Sequence, residues 1–437
     1  MKYMQEILEC HDDPRHLEIV FQYARKNGDL EQFINSVLEC YQSSPNNVLY
    51  AAWHHRLQTD RNQGVSVLHK INWSLAIMLA SGNGLILWLA SNITVNSSDF
   101  LHYLLLFSAP CTAVFMIAYL HISSKQIRTN IAILQLSILL IASSYSSSFV
   151  SESTGYFEII VPHLIMLSWG AIAIGTINIM SYKTDNKHRN FLFLIKSFEI
   201  IITLAIFVAA TIIFSAITIS VFEVINITFS DSIGRLLIIG TGGAMPILAL
   251  ATSYSPALSP AKQEFSRGIS WLIITFPPVL LAITLPVLFV YLALIPSNFM
   301  EAFNNRDVLI TYNIMLFAIM LLLAACTPIT TNYKSTTTHK ILKFSIMTVA
   351  LLTTIVSFYA LGAVIYRTAT FGLTINRITV IGWNTINITL MSLMLIRQVR
   401  CEKDEWITAL QSTFSDGILP YIGWTLFVVA ISPWYFK

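Results

Sequence analysis

The sequence has 437 residues, of which 55% are hydrophobic and only 11% charged, and its mean hydropathy is +0.65. A soluble chain carries about a quarter of its residues charged, so composition excludes a water-soluble globular protein and indicates a polytopic membrane protein. The formal net charge of +3 is spread over connecting segments, which argues for no nucleic-acid partner.

The cysteines Cys10, Cys40, Cys111, Cys326 and Cys401 fall in the polar front, the spans or a basic loop. No disulfide framework is expected from them. The opening MKYMQEILECHDDPRHLEIV has none of the parts of a signal peptide, so insertion is expected to start from an uncleaved internal span.

Residues 1–68 read as a small helical cap. Asp13 and Pro14 are an N-cap and a first-turn proline ahead of Leu17, Val20, Phe21 and Ala24 at helical spacing, and Gly28 ends the run. Asp29 is expected to cap a second helix through Tyr41, and Ser44 with Pro45 to open a third. Helices this short are expected to bury little core alone, so a second copy or another membrane protein is an expected partner. The cap also holds Cys10, His11, His16, Cys40, His54, His55 and His69. Their spacing matches no zinc pattern, and interfacial or solvated histidines are the reading preferred over a metal site.

A helix needs roughly 20 apolar residues to cross about 30 Å of hydrocarbon. Such runs occur near 71–91, 100–121, 130–150, 159–181, 191–221, 234–254, 268–296, 308–330, 341–365, 376–396 and, more weakly, 417–436. The expectation is an all-α polytopic helix bundle of about eleven spans, or ten if 417–436 lies in the interface. In alternate connections lie Lys125, Arg128, Lys183, Lys187, Arg189, Lys196, Lys262, Arg267, Lys334, Lys340, Lys343, Arg397, Arg400 and Lys403; the opposite side has only Arg235, Arg306, Arg367, Arg377 and Lys437. That bias predicts a cytoplasmic N-terminus. The Pro- and Ser-rich stretch 255–267 reads as a cytoplasmic linker between a six-span group, 71–254, and a group of about five spans, 268–437. The amphipathic stretch after Lys403, with Trp406, Ile407 and Leu410 on one side, is expected to lie on the membrane surface or dock on the cap.

Ionisable residues deep in a bilayer are costly and mark function. Here Glu158, Glu199 and Glu223 fall near span ends, His102 and His121 bracket the second span, and His163 lies one turn into the fourth. No carboxylate is expected near the middle of a span, which counts against a proton-coupled carrier built on one. The serine run Ser143 to Ser148 is read as helix packing rather than a water path.

Backbone irregularities offer more. The sixth span contains Gly240, Gly242, Gly243 and Pro246 in GTGGAMP, and the seventh contains Pro277, Pro278 and Pro286. Both are expected to be kinked or broken. Broken helices near mid-membrane often form transporter sites, which makes Gly240, Gly242, Gly243, Pro246, Pro277 and Pro278 the candidate substrate-binding residues. Simple kinks with tight small-residue packing are the competing reading. No phosphate-binding loop, nucleophile elbow, zinc-protease or dinucleotide motif occurs, so no catalytic residue, metal or cofactor is expected.

Spans nine and ten enclose Tyr366, Arg367, then Phe371-Gly372-Leu373-Thr374, then Arg377. Gly372 can supply a positive φ, and Thr374 can cap the tenth span. Arg377 in a first helical turn opposes the helix dipole, so the two arginines want an anion. A lipid phosphate, a ligand, or Glu158, Glu223, Glu301 or Asp307 could supply it; Tyr366, Arg367, Thr374 and Arg377 are therefore the candidate outer-face anion or lipid contacts. This succession resembles the C-terminal signature of a bacterial polytopic inner-membrane family known as domain of unknown function 4153, over spans seven to ten. The resemblance implies a bacterial inner-membrane protein, an envelope permease or a partner of one; the lipid bilayer is an expected partner, and the two arginines add anionic lipid to it. A transporter or channel for a small solute or lipid through spans six and seven is the leading expectation. A non-enzymatic scaffold or sensor that binds a partner through its cap is the alternative, and an intramembrane enzyme ranks last.

Overall fold

The computed structural model describes residues 3–10, 12–26, 29–63, 71–93, 100–124, 129–150, 154–177, 186–224, 230–256, 267–328, 337–402 and 405–435. His11, His69 and most of the linker lie outside these residues. Apolar runs this long can satisfy their backbone groups in hydrocarbon only as helices or closed barrels, and among the described residues there is no strand. The chain forms two units, Met1–Lys70 and Ile71–Lys437.

In the first unit, α1 (Met4–Glu9), α2 (Pro14–Lys26), α3 (Leu30–Ser43) and α4 (Val48–Gln63) pack together. Asp13 Oδ1 accepts the backbone N–H groups of Arg15 and His16 at 2.9 and 3.1 Å, as its N-cap position requires. The third long helix is capped by Asn47, which accepts from Leu49 and Tyr50 at 2.9 and 3.1 Å, rather than opened by Ser44. Contrary to expectation, the unit has a core of its own, because aromatic residues supply large buried areas: Tyr3, Phe21, Phe33, Tyr50 and Trp53 close around Leu17, Val37 and Leu57. Cys10 and Cys40 are part of that core. His54 and His55 instead converge on Tyr41, with ring centroids 4.4 and 6.2 Å from it.

The second unit runs α5 (Trp73–Ile93), α6 (Phe100–Ser123), α7 (Thr129–Val150), α8 (Thr154–Ile177), α9 (Asn186–Val224), α10 (Asp231–Arg235), a π-helical turn at Leu236–Gly240, α11 (Thr241–Ser253), α12 (Arg267–Leu294), a 3-10 turn at Pro296–Asn298, α13 (Glu301–Asn304), α14 (Arg306–Ala325), α15 (Thr337–Phe371), α16 (Ile375–Arg400) and α17 (Trp406–Tyr435). Among the described residues eleven spans are long and apolar enough to cross a membrane. The protein is an integral, multi-pass, all-α membrane protein.

Two helices tie the bundle together. One face of α9 places Phe191 and Ile195 against α12, α14 and α15, while Phe193 packs with α5, α6 and α8. In the same way α17 gives Trp406, Leu410 and Phe414 to the first core, and Ile418 and Ile422 to the second. The stretch expected on the membrane surface is therefore the start of the last span. Its apolar side is buried, and Asp416 beyond it pairs with Arg397 at 2.7 Å and Lys187 at 3.1 Å.

Neither span six nor span seven is broken into separate half-helices. The π-helical turn takes up the irregularity in the sixth, and α12 runs through its three prolines. Membrane helices tolerate proline where neighbours satisfy the displaced backbone. Asn83 on α5 does this locally, its Nδ2 donating to Gly243 O at 2.7 Å. The glycines permit close packing: a methyl group on Gly84 would run into the carbonyl oxygen of Gly240, and one on Gly243 would lie 2.8 Å from Leu87 Cδ1. Ser143, Ser147 and Ser148 bond back to carbonyls of their own helix; Tyr145 makes the crossing bond, to Ala430 O at 2.7 Å.

Gly84→Ala is expected to cost about 1–3 kcal/mol by overpacking. The check is the thermal unfolding midpoint in detergent, with Gly234→Ala, which meets open space, left unchanged. In the cap, burial raises the pKa of Cys10 and Cys40, aided by Asp13, Glu9 and Glu6 at the first and Glu39 at the second. A raised pKa means less thiolate, so alkylation at about pH 8 is expected to be slower than for a free thiol and to accelerate on unfolding.

Candidate functional site

A cavity of the second unit, about 760 Å³, lies between α8 on one side and α14, α15 and α16 on the other. Its volume falls in the range of small-ligand sites. Its mouth carries Arg306, Arg367, Thr374, Asn376 and Arg377, and its floor is formed by His163, Asn313, Trp383, Asn384 and Asn387.

The floor is a set of side-chain hydrogen bonds between helices. Asn384 Nδ2 donates to Asn313 Oδ1 at 2.8 Å, and Asn313 Nδ2 donates to Leu309 O at 2.7 Å. Tyr421 donates its hydroxyl to Asn387 Oδ1 at 2.5 Å and stacks on Trp383, with centroids 5.3 Å apart. Trp383 Nε1 in turn donates to His163 Nε2 at 3.1 Å, and His163 Nδ1 meets Ile159 O at 2.7 Å. A carbonyl only accepts and an indole N–H only donates, so His163 carries its proton on Nδ1.

These partners leave capacity over. Asn313 uses both ends of its amide, but no partner is found for Asn384 Oδ1 or Asn387 Nδ2 among the described residues. Asn384 and Asn387 are only 3% and 4% exposed, and both line the cavity. At about 1.5 Å per residue they lie roughly 14 and 18 Å along α16 from its first residue, near half the thickness of a bilayer. Unsatisfied amides at that depth are costly unless something polar occupies the space beside them.

At the mouth, Gly372 has φ +82°, and Thr374 Oγ1 accepts the N–H of Arg377 at 3.4 Å, forming the tight turn and cap that start α16. Arg367 donates to Phe303 O and Asn304 O at 3.2 and 2.9 Å, and Arg377 donates to Gly372 O. Both guanidinium groups lie over the ring of Phe371, 5.7 and 5.8 Å from its centroid, which holds two cations beside each other. None of the described carboxylates, Glu158, Glu301 and Asp307 included, pairs with Arg306, Arg367 or Arg377. Tyr366 lies outside the cavity, edge-on to Phe303 with centroids 5.4 Å apart.

A second cavity of about 460 Å³ is lined by Gly242, Gly243 and Pro246, with Trp169, Phe193, Leu204 and Tyr254 around it. Gly240 instead packs on α5, and Pro277 and Pro278 line neither cavity; α12 packs on α15, α14 and α9. The structure thus does not bring the two irregular spans to one site. The cation of this second cavity, Lys196, was read as a loop charge but is 3% exposed inside the bundle. It donates to Glu199 Oε2 at 2.6 Å and to Ser253 O at 3.0 Å. Its charge is already matched by a carboxylate, as a buried ion pair must be.

Sequence reasoning named Arg367, Thr374 and Arg377 of the mouth, and His163, but missed Asn313, Asn384 and Asn387, because it searched spans for charges. The available signal was the pair of asparagines at i, i+3 in an apolar helix. Asn384→Leu is expected to leave Asn313 Oδ1 without its donor and cost about 1–3 kcal/mol, whereas Asn313→Leu/Asn384→Leu together should cost less than the sum of the single changes. Thermal unfolding of the three variants in one detergent provides the cycle. No family model matches the chain, and no curated protein or solved structure matches it either.

Proposed function

We propose that the protein is a membrane carrier whose substrate site is the cavity floored by Asn313, Asn384 and Asn387. One observation carries the reading: two almost fully buried amides, halfway along a span, keep hydrogen-bonding capacity facing a cavity of about 760 Å³. Such an arrangement lets a polar group rest at mid-membrane, which a carrier must achieve and a purely structural bundle avoids. The Lys and Arg bias supports an arginine mouth outside the cytoplasm and a cap inside it. The Phe371-Gly372-Leu373-Thr374…Arg377 resemblance supports the bacterial inner membrane as its location.

The alternative is a scaffold or sensor that recruits a partner through the cap. Ile19 and Tyr23, one turn apart on α2 and 66% and 58% exposed, favour it.

A carrier presents the bottom of its site to each face in turn. In a background without native cysteines, Asn387→Cys in proteoliposomes is therefore expected to react with a membrane-impermeant maleimide from both faces. Labelling from one face alone would sink the carrier reading and leave the scaffold.

A further inference from the structure

From the mouth and side wall of this cavity we infer that its ligand is an anionic amphiphile, with a phosphate or carboxylate headgroup at Arg306, Arg367 and Arg377 and an apolar tail along α14. The inference rests on reading this cavity as the substrate site.

The headgroup follows from charge. Three arginines meet at one mouth without a carboxylate partner among the described residues, and two of them give hydrogen bonds only to backbone carbonyls. The side chain of Arg306 makes no hydrogen bond or ion pair with any described residue. Neighbouring cations at the edge of a low-dielectric region raise one another's energy until an anion joins them. The planar guanidinium fork selects oxyanions, phosphate and carboxylate, over simple halides.

The tail follows from the wall. Ile310, Ile314 and Phe317 all line the cavity, yet are 40%, 65% and 45% exposed. They lie at i+4, i+8 and i+11 from Arg306, so one stripe of α14 descends from a guanidinium to side chains that face both the cavity and the space outside the bundle. Large apolar residues exposed at that depth face hydrocarbon. The cavity is therefore open sideways to the membrane, an opening that a free inorganic anion cannot use and a lipid can.

The test uses the full chain in nanodiscs of phosphatidylcholine, with and without phosphatidylglycerol, and identifies retained lipid by native mass spectrometry. Phosphatidylglycerol should be kept over phosphatidylcholine, about tenfold more weakly in Arg306→Gln. Arg306→Lys should recover only part of the loss, because an ammonium keeps the charge without the fork. Ile314→Asn, on the exposed stripe, should weaken retention without touching an arginine. Retention that does not distinguish the two lipids, or that is unchanged in Arg306→Gln and Ile314→Asn, overturns the inference. Displacement of the lipid by inorganic phosphate as effectively as by short-chain phosphatidic acid also overturns it, in favour of a free anion. Asn387→Cys labelled from both faces without acidic-lipid preference leaves the carrier reading intact and removes this one. Retained acidic lipid with labelling from one face supports the ligand class and removes the carrier reading.

Discussion

Hydrocarbon offers no hydrogen bonds, so a polar group placed inside a membrane bundle has to find its partner within the protein or face a cavity that supplies one. That constraint organises the second unit. Asn83 answers the backbone at Gly243, Lys196 answers Glu199, and Trp383 answers His163. Along α16 two buried amides, Asn384 and Asn387, keep an end without a partner among the described residues, and both line a cavity.

The two cavities differ in how complete their chemistry is. Beside the glycine-rich sixth span the charge is matched and the glycines admit neighbouring helices, so the irregular sequence serves packing first. Between α8 and α16 two amides and three guanidinium groups retain unused capacity. A site for a charged ligand needs charge that is not already matched, and this difference selects the cavity between α8 and α16 over the one beside the sixth span.

The long helices make such a site possible without loosening the protein. Because α9 and α17 each contribute to two cores, the bundle is braced away from the cavity. Trp424 resting on Gly382, and Leu390 on Gly417, lock α16 to α17. The side of α16 packed on α17 is thus held firmly, while Asn384 and Asn387 line the cavity. A rigid element carrying a polar face is a sound scaffold for recognition, since little ordering cost remains when a ligand binds.

Much of this was legible in the residues. Long apolar runs set the class and the number of helices, because a continuous apolar run of about 20 residues satisfies its own backbone in lipid as a helix. Asp13 as a cap, the turn at Gly372 and the cap at Thr374 were all readable, since they depend on a few adjacent residues. The start of α17 was not, because an amphipathic stretch looks the same whether its apolar side meets a membrane surface or a core. Neither was the fate of Lys196, whose partners include Ser253, far along the chain. The sequence by itself determined which segments enter the membrane and where the chain turns, as these follow from local composition and backbone sterics. Only the tertiary structure decided which polar residues satisfy one another and which are left facing a cavity, because that depends on helices meeting across hundreds of residues.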